Sequence, residues 1–306
     1  MSSYIQKLSH GGLIHPPKWL APNVIYECIM GSVAYGVSSD TSDFDLYAIC
    51  IPLKHDVFPH LKGEINGFGR QKQGFEQFQQ HHVYDKDALG GSGRNYDVTC
   101  YNIVKYFTLA MENNPNIVDS LYVKNTCVLY STLVGQHLRE NRSLFLHKGA
   151  YHKFKGYAYS QLSKLSTNKN SSSSKRKELY EQHGYDTKFA YHVIRLIDEC
   201  EQILTLGDID LERSREMMKS VRRGEWTEEK VRKHFEDKEK SLEQLYRESS
   251  LQHSPDESKI KSLLLECLEM HYGSLSDCVK LTNVDINSVL DEIESNVAKL
   301  RRNFNG

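Results

Sequence analysis

The sequence predicts an α+β fold, with a strand-containing unit followed by a mainly helical one. From residue 24 to about 130, short apolar runs alternate with glycine and charge, whereas later segments repeat apolar residues at helical spacing. That change of period sets a boundary near 130–150 and predicts units of 1–140 and 141–306. A chain of 306 residues is long enough for one large domain or two modest ones.

Each element has a local reason. "VIYECIM" (24–30) and "FDLYAICI" (44–51) are rich in β-branched and aromatic residues and read as strands. "NYDVTCYNIVKYFTLAM" (95–111) reads as a strand running into a helix, while Pro52 and "HVYDKDALGGSGR" (82–94) read as irregular connections. "NNPNIVDSLY" (113–122) places a Pro ahead of an apolar helical stripe. Helical patterns then follow over 134–146, 150–166, 187–204, 211–224, 227–249 and 257–273, with a closing helix over 288–304. Gly207 and Gly224 fall where helices should end, and Thr227 is placed to cap the next one. The tract "STNKNSSSSKRK" (166–177) has almost no apolar residues and reads as an exposed, mobile loop.

Composition narrows the function classes. A net charge of -1 argues against a chain whose whole surface coats nucleic acid or an anionic membrane, though not against a local basic patch. No run approaches eighteen apolar residues, and the first residues lack the apolar centre of a signal peptide, so no membrane span is expected. Seven cysteines without a CxxC pair suggest neither a zinc knuckle nor a disulfide framework. Cys28, Cys50 and Cys100 read as small buried residues, and a reducing, cytoplasmic location is the simplest expectation.

The chemistry concentrates in "MGSVAYGVSSDTSDFDLYAIC" (30–50). Asp43 and Asp45 have the same parity on a strand, so both carboxylates face one way, and no basic residue lies between Tyr26 and Leu53 to pair with them. Asp97 stands alone among aromatic and β-branched residues at the start of another strand, and adjacency would bring a third carboxylate to the group. Such a cluster is either a divalent-cation site or an ion network paired from afar. Gly31 and Ser32 follow a strand and open a short segment whose N–H groups and hydroxyl suit phosphate oxygens.

The run "GSVAYGVSSDTSDFDL" resembles the signature of the DNA polymerase β-like nucleotidyltransferase superfamily, and more narrowly that of predicted nucleotidyltransferases linked with RNA repair. "GYDTKFAYHVIRL" and "RRGEWTEEKV" resemble later motifs of the narrower family, so the likeness covers most of residues 24–270. The resemblance implies a mixed-sheet catalytic domain followed by a helical domain that contributes to the nucleotide and acceptor site. It implies two Mg²⁺ ions (Mn²⁺ as an alternative) held by Asp43, Asp45 and Asp97, with Gly31 and Ser32 on the β- and γ-phosphates of an NTP such as ATP. Transfer of NMP from NTP to a hydroxyl acceptor would follow, with Asp97 as a proton acceptor.

The acceptor is less sharply indicated. Lys188, His192, Arg195 and Glu199 share one helix face, opposite Phe189, Val193, Leu196 and Ile197. Beside a triphosphate, Lys188, His192 and Arg195 would neutralise charge, although such a face is also ordinary solvated surface. Residues 148–188 hold nine Lys or Arg against three acids, interleaved with Tyr151, Phe154, Tyr157 and Tyr159, which suits an RNA end. A protein or small-molecule acceptor, nucleotide hydrolysis, and a catalytically inactive nucleotide sensor or scaffold are the competing readings.

Overall fold

A computed structural model describes residues 3–38, 43–70, 74–165, 174–275 and 290. Five strands make one mixed sheet in the order β3-β4-β2-β1-β5: β1 (Val24–Ile29), β2 (Phe44–Cys50), β3 (Gln77–Asp85), β4 (Arg94–Asn102) and β5 (Val128–Ser131). The central β2–β4 pair is parallel, and every other pairing is antiparallel. β1 is buried along its whole length, as its run of apolar residues, interrupted only by Glu27, requires. β2 begins differently, with Phe44 and Leu46 buried and Asp45 and Tyr47 half-buried on the other face, before both faces close over from Ala48.

The strand unit also carries α1 (Tyr4–His10), α2 (Gly31–Ala34), α3 (Lys54–Val57), α4 (Ala88–Gly91), α5 (Ile103–Met111), α6 (Pro115–Tyr122) and α7 (Leu133–Glu140). Ser3 and Gln6 form a capping box on α1. Buried Glu27 of β1 then accepts the N–H groups of Tyr4 (2.7 Å) and Ile5 (3.0 Å), docking that helix on the sheet. The helical unit comprises α8 (Ala150–Lys164), α9 (Ser174–His183), α10 (Thr187–Leu206), α11 (Arg215–Arg222), α12 (Glu228–Glu248) and α13 (Glu257–Tyr272). α10 is its centre, starting at Asp186, whose carboxylate accepts the N–H of Lys188 at 2.9 Å, and ending at Gly207 in the left-handed conformation. α8, α11 and α12 pack around it. One continuous apolar core runs from α1 and the sheet through α10 to α13.

Four elements differ from the sequence expectation. β3 runs to Asp85, so that its last four residues fall in the stretch 82–94 that reads as an irregular connection, because its glutamines and histidines lie at an open sheet edge and show no apolar alternation. The short edge strand β5 and helix α1 were not expected from periodicity, each being too brief to show one. The expected loop 166–177 ends in helix from Ser174 onward, and its other residues lie outside the described ones. The closing helix expected over 288–304 also lies outside them, Leu290 excepted. The six described cysteines are buried and free.

Candidate functional site

Asp45 and Asp97 are direct register partners across the parallel β2–β4 pair. Neighbouring strands lie about 4.8 Å apart, and side chains of paired residues leave the same face of the sheet. The two carboxylates predicted to converge are therefore adjacent, with Asp43 two residues before Asp45. Burial pushes the Asp45 carboxyl up to about 6, and the charges of Asp97 and Asp43 push in the same direction. Lys188 and His81 oppose that shift, so the counter-charges come from distant parts of the chain. Among the described residues no three His, Cys, Asp or Glu side chains form a ready-made metal cage. Asp97 Oδ1 instead accepts the backbone N–H of His82 at 2.7 Å, with the imidazoles of His81 and His82 at 3.7 and 3.9 Å.

The glycine turn is built against this group. The backbone N–H of Met30 donates to the Asp45 carbonyl at 2.8 Å, seating the end of β1 beside the start of β2. Gly31 has φ +65°, and a Cβ there would lie 1.8 Å from Asp45 Oδ2, so only glycine permits so close an approach. Ser32 follows at the half-exposed start of α2, where the first N–H groups of a helix have no partner within the helix. The structure thus brings Gly31, Ser32, Asp43, Asp45 and Asp97 into one neighbourhood.

α10 supplies the other wall. Lys188 is exposed in its first turn and close enough to act on Asp45. His192, one turn later, is half-buried with its ring 4.1 Å from that of Tyr191. Arg195 corrects the solvated-face reading. It is only 4% exposed, ion-paired to Asp119, and its guanidinium lies 4.4 Å from the Tyr35 ring centroid. Glu199, at 3.8 Å, is equally buried. Tyr35 donates its hydroxyl hydrogen to Asp119 at 2.9 Å. Arg195 therefore grips the residue that follows the glycine turn and does not line an open pocket. Arg222 completes the grip by donating to the Val37 carbonyl, and a Cβ at Gly36 would meet the Arg215 side chain at 2.6 Å.

Sequence reasoning missed Asp119, Tyr35, His81 and His82. A lone acid inside the apolar stripe 115–122 was a signal for Asp119, but its partner is 76 residues away. The basic stretch 148–188 is also less available than its composition suggests. Lys148 is buried near the Tyr246 ring, Lys153 pairs with Glu112 at 3.0 Å, and Lys155 pairs with Glu239 at 3.4 Å. Lys164 sits over Phe189, and Tyr151 and Phe154 are core residues, leaving Tyr159 as the exposed ring of that stretch, bonded to Glu239. Lys177 is exposed, whereas Lys169 and the side chains of Lys175 and Arg176 lie outside the described residues.

A family model described as RNA repair pathway DNA polymerase beta family matches residues 14–266. The crystal structure of a nucleotidyltransferase-like protein from Exiguobacterium sibiricum aligns with 95% of this chain and 90% of that one, at 10% identity and a TM-score of 0.29. A likeness that distant carries no weight for the site. No curated protein matches the chain. No helix among the described residues is long and apolar enough to cross a membrane.

Proposed function

This chain belongs to the RNA repair pathway DNA polymerase beta family, and we propose that it transfers NMP from an NTP to a hydroxyl at an RNA end. The observation that carries the reading is the Asp45–Asp97 register pair packed against the Gly31 turn. It supports a reaction centre in which nucleotide phosphates and acidic side chains meet.

The residues present fit divalent cations. Asp45 is held up to about 6 by burial and by two neighbouring carboxylates, a conflict that a cation would relieve. Asp43, Asp45 and Asp97 would hold Mg²⁺ or Mn²⁺, with a modest rotation of Asp97 away from its present partner. When bound, the ions would offset charge on the triphosphate and acidify the acceptor hydroxyl.

The chain's own groups do the rest. The N–H groups and hydroxyl of Gly31 and Ser32 receive the β- and γ-phosphates. Lys188 and His192 face the leaving side, where Lys188 offsets charge on pyrophosphate. The acceptor oxygen forms a bond to the α-phosphorus as the bond from that phosphorus to the pyrophosphate oxygen breaks. The hydroxyl proton passes to the carboxylate of Asp97. Arg195, Tyr35 and Asp119 hold the turn and α10 at a fixed separation, which is a positioning role. The strand-containing unit expected over 1–140 supplies the catalytic face, and the described helices of the second unit, α10 above all, brace it.

The test is incubation with each α-labelled NTP and Mg²⁺, with and without total RNA. The expected result is label that enters RNA and depends on Asp45. Label released as free NMP without RNA labelling would indicate hydrolysis, and label on protein would indicate a protein acceptor. Retention of NTP without turnover would indicate a sensor.

A further inference from the structure

The strained point nearest the carboxylates lies in β3. The register of β3 against β4 slips between Gln80 and Val83, so that His81 and His82 form a bulge opposite Asp97. His82 has φ +56°, in the left-handed region that a residue with a Cβ rarely adopts. In a regular strand, consecutive side chains point to opposite faces, yet here both imidazoles lie within 4 Å of the same oxygen, Asp97 Oδ1. The His82 N–H bonds to that oxygen as well. The bulge is braced from the other side, where Gln80 donates to the Leu13 carbonyl at 3.0 Å and accepts from the His15 N–H at 3.3 Å. Strain held in place by contacts on both sides is a feature of sites where a side chain must be re-aimed.

What the bulge presents is open. The His82 side chain is 89% exposed and that of His81 52%, on an edge strand with no further strand beyond it among the described residues. Exposed flat rings beside a reactive carboxylate suit an unpaired nucleotide, whose base stacks on aromatic side chains while its sugar hydroxyl reaches the carboxylate.

We propose that the His81–His82 bulge is the acceptor subsite: the imidazoles take the terminal nucleotide of a single-stranded RNA, and the His82 backbone positions Asp97. This rests on the nucleotidyltransfer reading above and adds which residues meet the acceptor. It also moves the acceptor path from the 148–188 stretch to the β3 edge.

Three chains separate ring from backbone. The double variant His81→Ala, His82→Gly removes both rings but keeps a residue that adopts positive φ, and with it the N–H bond to Asp97. His82→Val disfavours that backbone and so loosens Asp97. Each is assayed beside the wild type with ATP, Mg²⁺ and a short single-stranded oligoribonucleotide. For the double variant, KM for the oligoribonucleotide should rise about 10- to 100-fold with KM for ATP within about twofold of wild type, the scale of a lost base stack. For His82→Val, kcat should fall with KM for ATP unchanged. Transfer by the wild type with an unchanged RNA KM in the double variant overturns this proposal alone. Equal loss of RNA transfer and of ATP binding marks a purely structural role and also overturns it. Failure of the wild type to label RNA with any of the four NTPs overturns the reading of transfer to RNA and this proposal together.

Discussion

Two groups of acidic side chains lie on either side of the Gly31–Tyr35 segment, and they solve opposite problems. Asp119 and Glu199 are fully buried around Arg195, which supplies their counter-charge from within the protein. Asp43, Asp45 and Asp97 sit at a half-open face with no arginine ion-paired to them among the described residues, and exposed Lys188 and half-exposed His81 oppose the upward shift of Asp45. A carboxylate closed in with its own cation is a structural device whose loss leaves an uncompensated charge. A carboxylate cluster left short of positive charge at an opening is prepared for one brought by a ligand. The contrast separates the proposed reaction centre from scaffold among residues of the same chemical type.

The largest expected effect comes from breaking the open group. Asp45→Asn or Asp97→Asn should lower nucleotidyl transfer at least 10⁴-fold, roughly 5 kcal/mol of barrier. Thermal unfolding should show the fold intact, with Mg²⁺ stabilising the wild type but not the Asp45 variant. Equal stabilisation of both by Mg²⁺ would remove the cation from the proposed site.

Breaking the closed group should have the reverse signature. Arg195→Met leaves Asp119 and Glu199 buried without a cation and should cost about 3–5 kcal/mol in urea unfolding. Adding Asp119→Asn and Glu199→Gln should recover much of that stability, because the buried charge is then gone. Transfer activity per folded molecule should fall less than for Asp45→Asn, since the role proposed for buried Arg195 is to position the turn. A stable Arg195→Met chain with a selectively raised KM for NTP would return Arg195 to the phosphate site.

A pH series sharpens the comparison. The carboxyls of Asp45 and Asp119 are both pushed up to about 6 from 3.8, chiefly by burial. A native carboxyl pKa above the unfolded value means that the native state binds more protons between pH 4 and 6. Stability without metal should therefore be highest near pH 4 for these groups and be lost as pH rises through 6. Asp45→Asn and saturating Mg²⁺ should each remove only the Asp45 part of that slope, leaving unchanged the parts from Asp119 and from Glu199 and Glu27, which burial also pushes up. If Mg²⁺ flattens the whole slope, the two groups are coupled and the distinction between them fails. At subsaturating Mg²⁺, activity should decline below about pH 6, where a proton on Asp45 competes with the cation.

The smallest effect belongs to Lys188. Because it is exposed, Lys188→Ala should change stability by no more than about 0.5 kcal/mol. It should still raise KM for NTP, by about tenfold, if its charge reaches the triphosphate as it reaches Asp45. An unchanged KM would leave it as ordinary surface.

Much of the site was legible because its logic is local. The parity of Asp43 and Asp45, the Gly-Ser turn behind a strand, the helix start at Thr187 and the Gly207 stop each depend on residues within a few positions. Asp97 was legible as an isolated acid in an apolar strand, although its pairing with Asp45 was not. The face shared by Lys188, His192, Arg195 and Glu199 was correctly placed by period, but its burial was not, since α10 carries Lys188 to the opening while Tyr35 and Asp119 cover Arg195. The lysines of 148–188 counted as free charge in sequence, yet Lys153 and Lys155 meet acids 41 and 84 positions away.

By itself, then, the sequence determined which residue types stand together along each element: acids of one parity, a glycine where φ must be positive, caps at helix ends. These follow from the two-residue and 3.6-residue periods of the backbone, which no distant contact alters. Tertiary structure alone decided which charges are neutralised and which stay open. It closed Arg195 over Asp119, left Asp45 facing Asp97, and turned His81 and His82 toward one carboxylate at the β3 edge. The physical reason is that solvation and counter-charge belong to a place in space, and chain segments far apart in sequence create that place together.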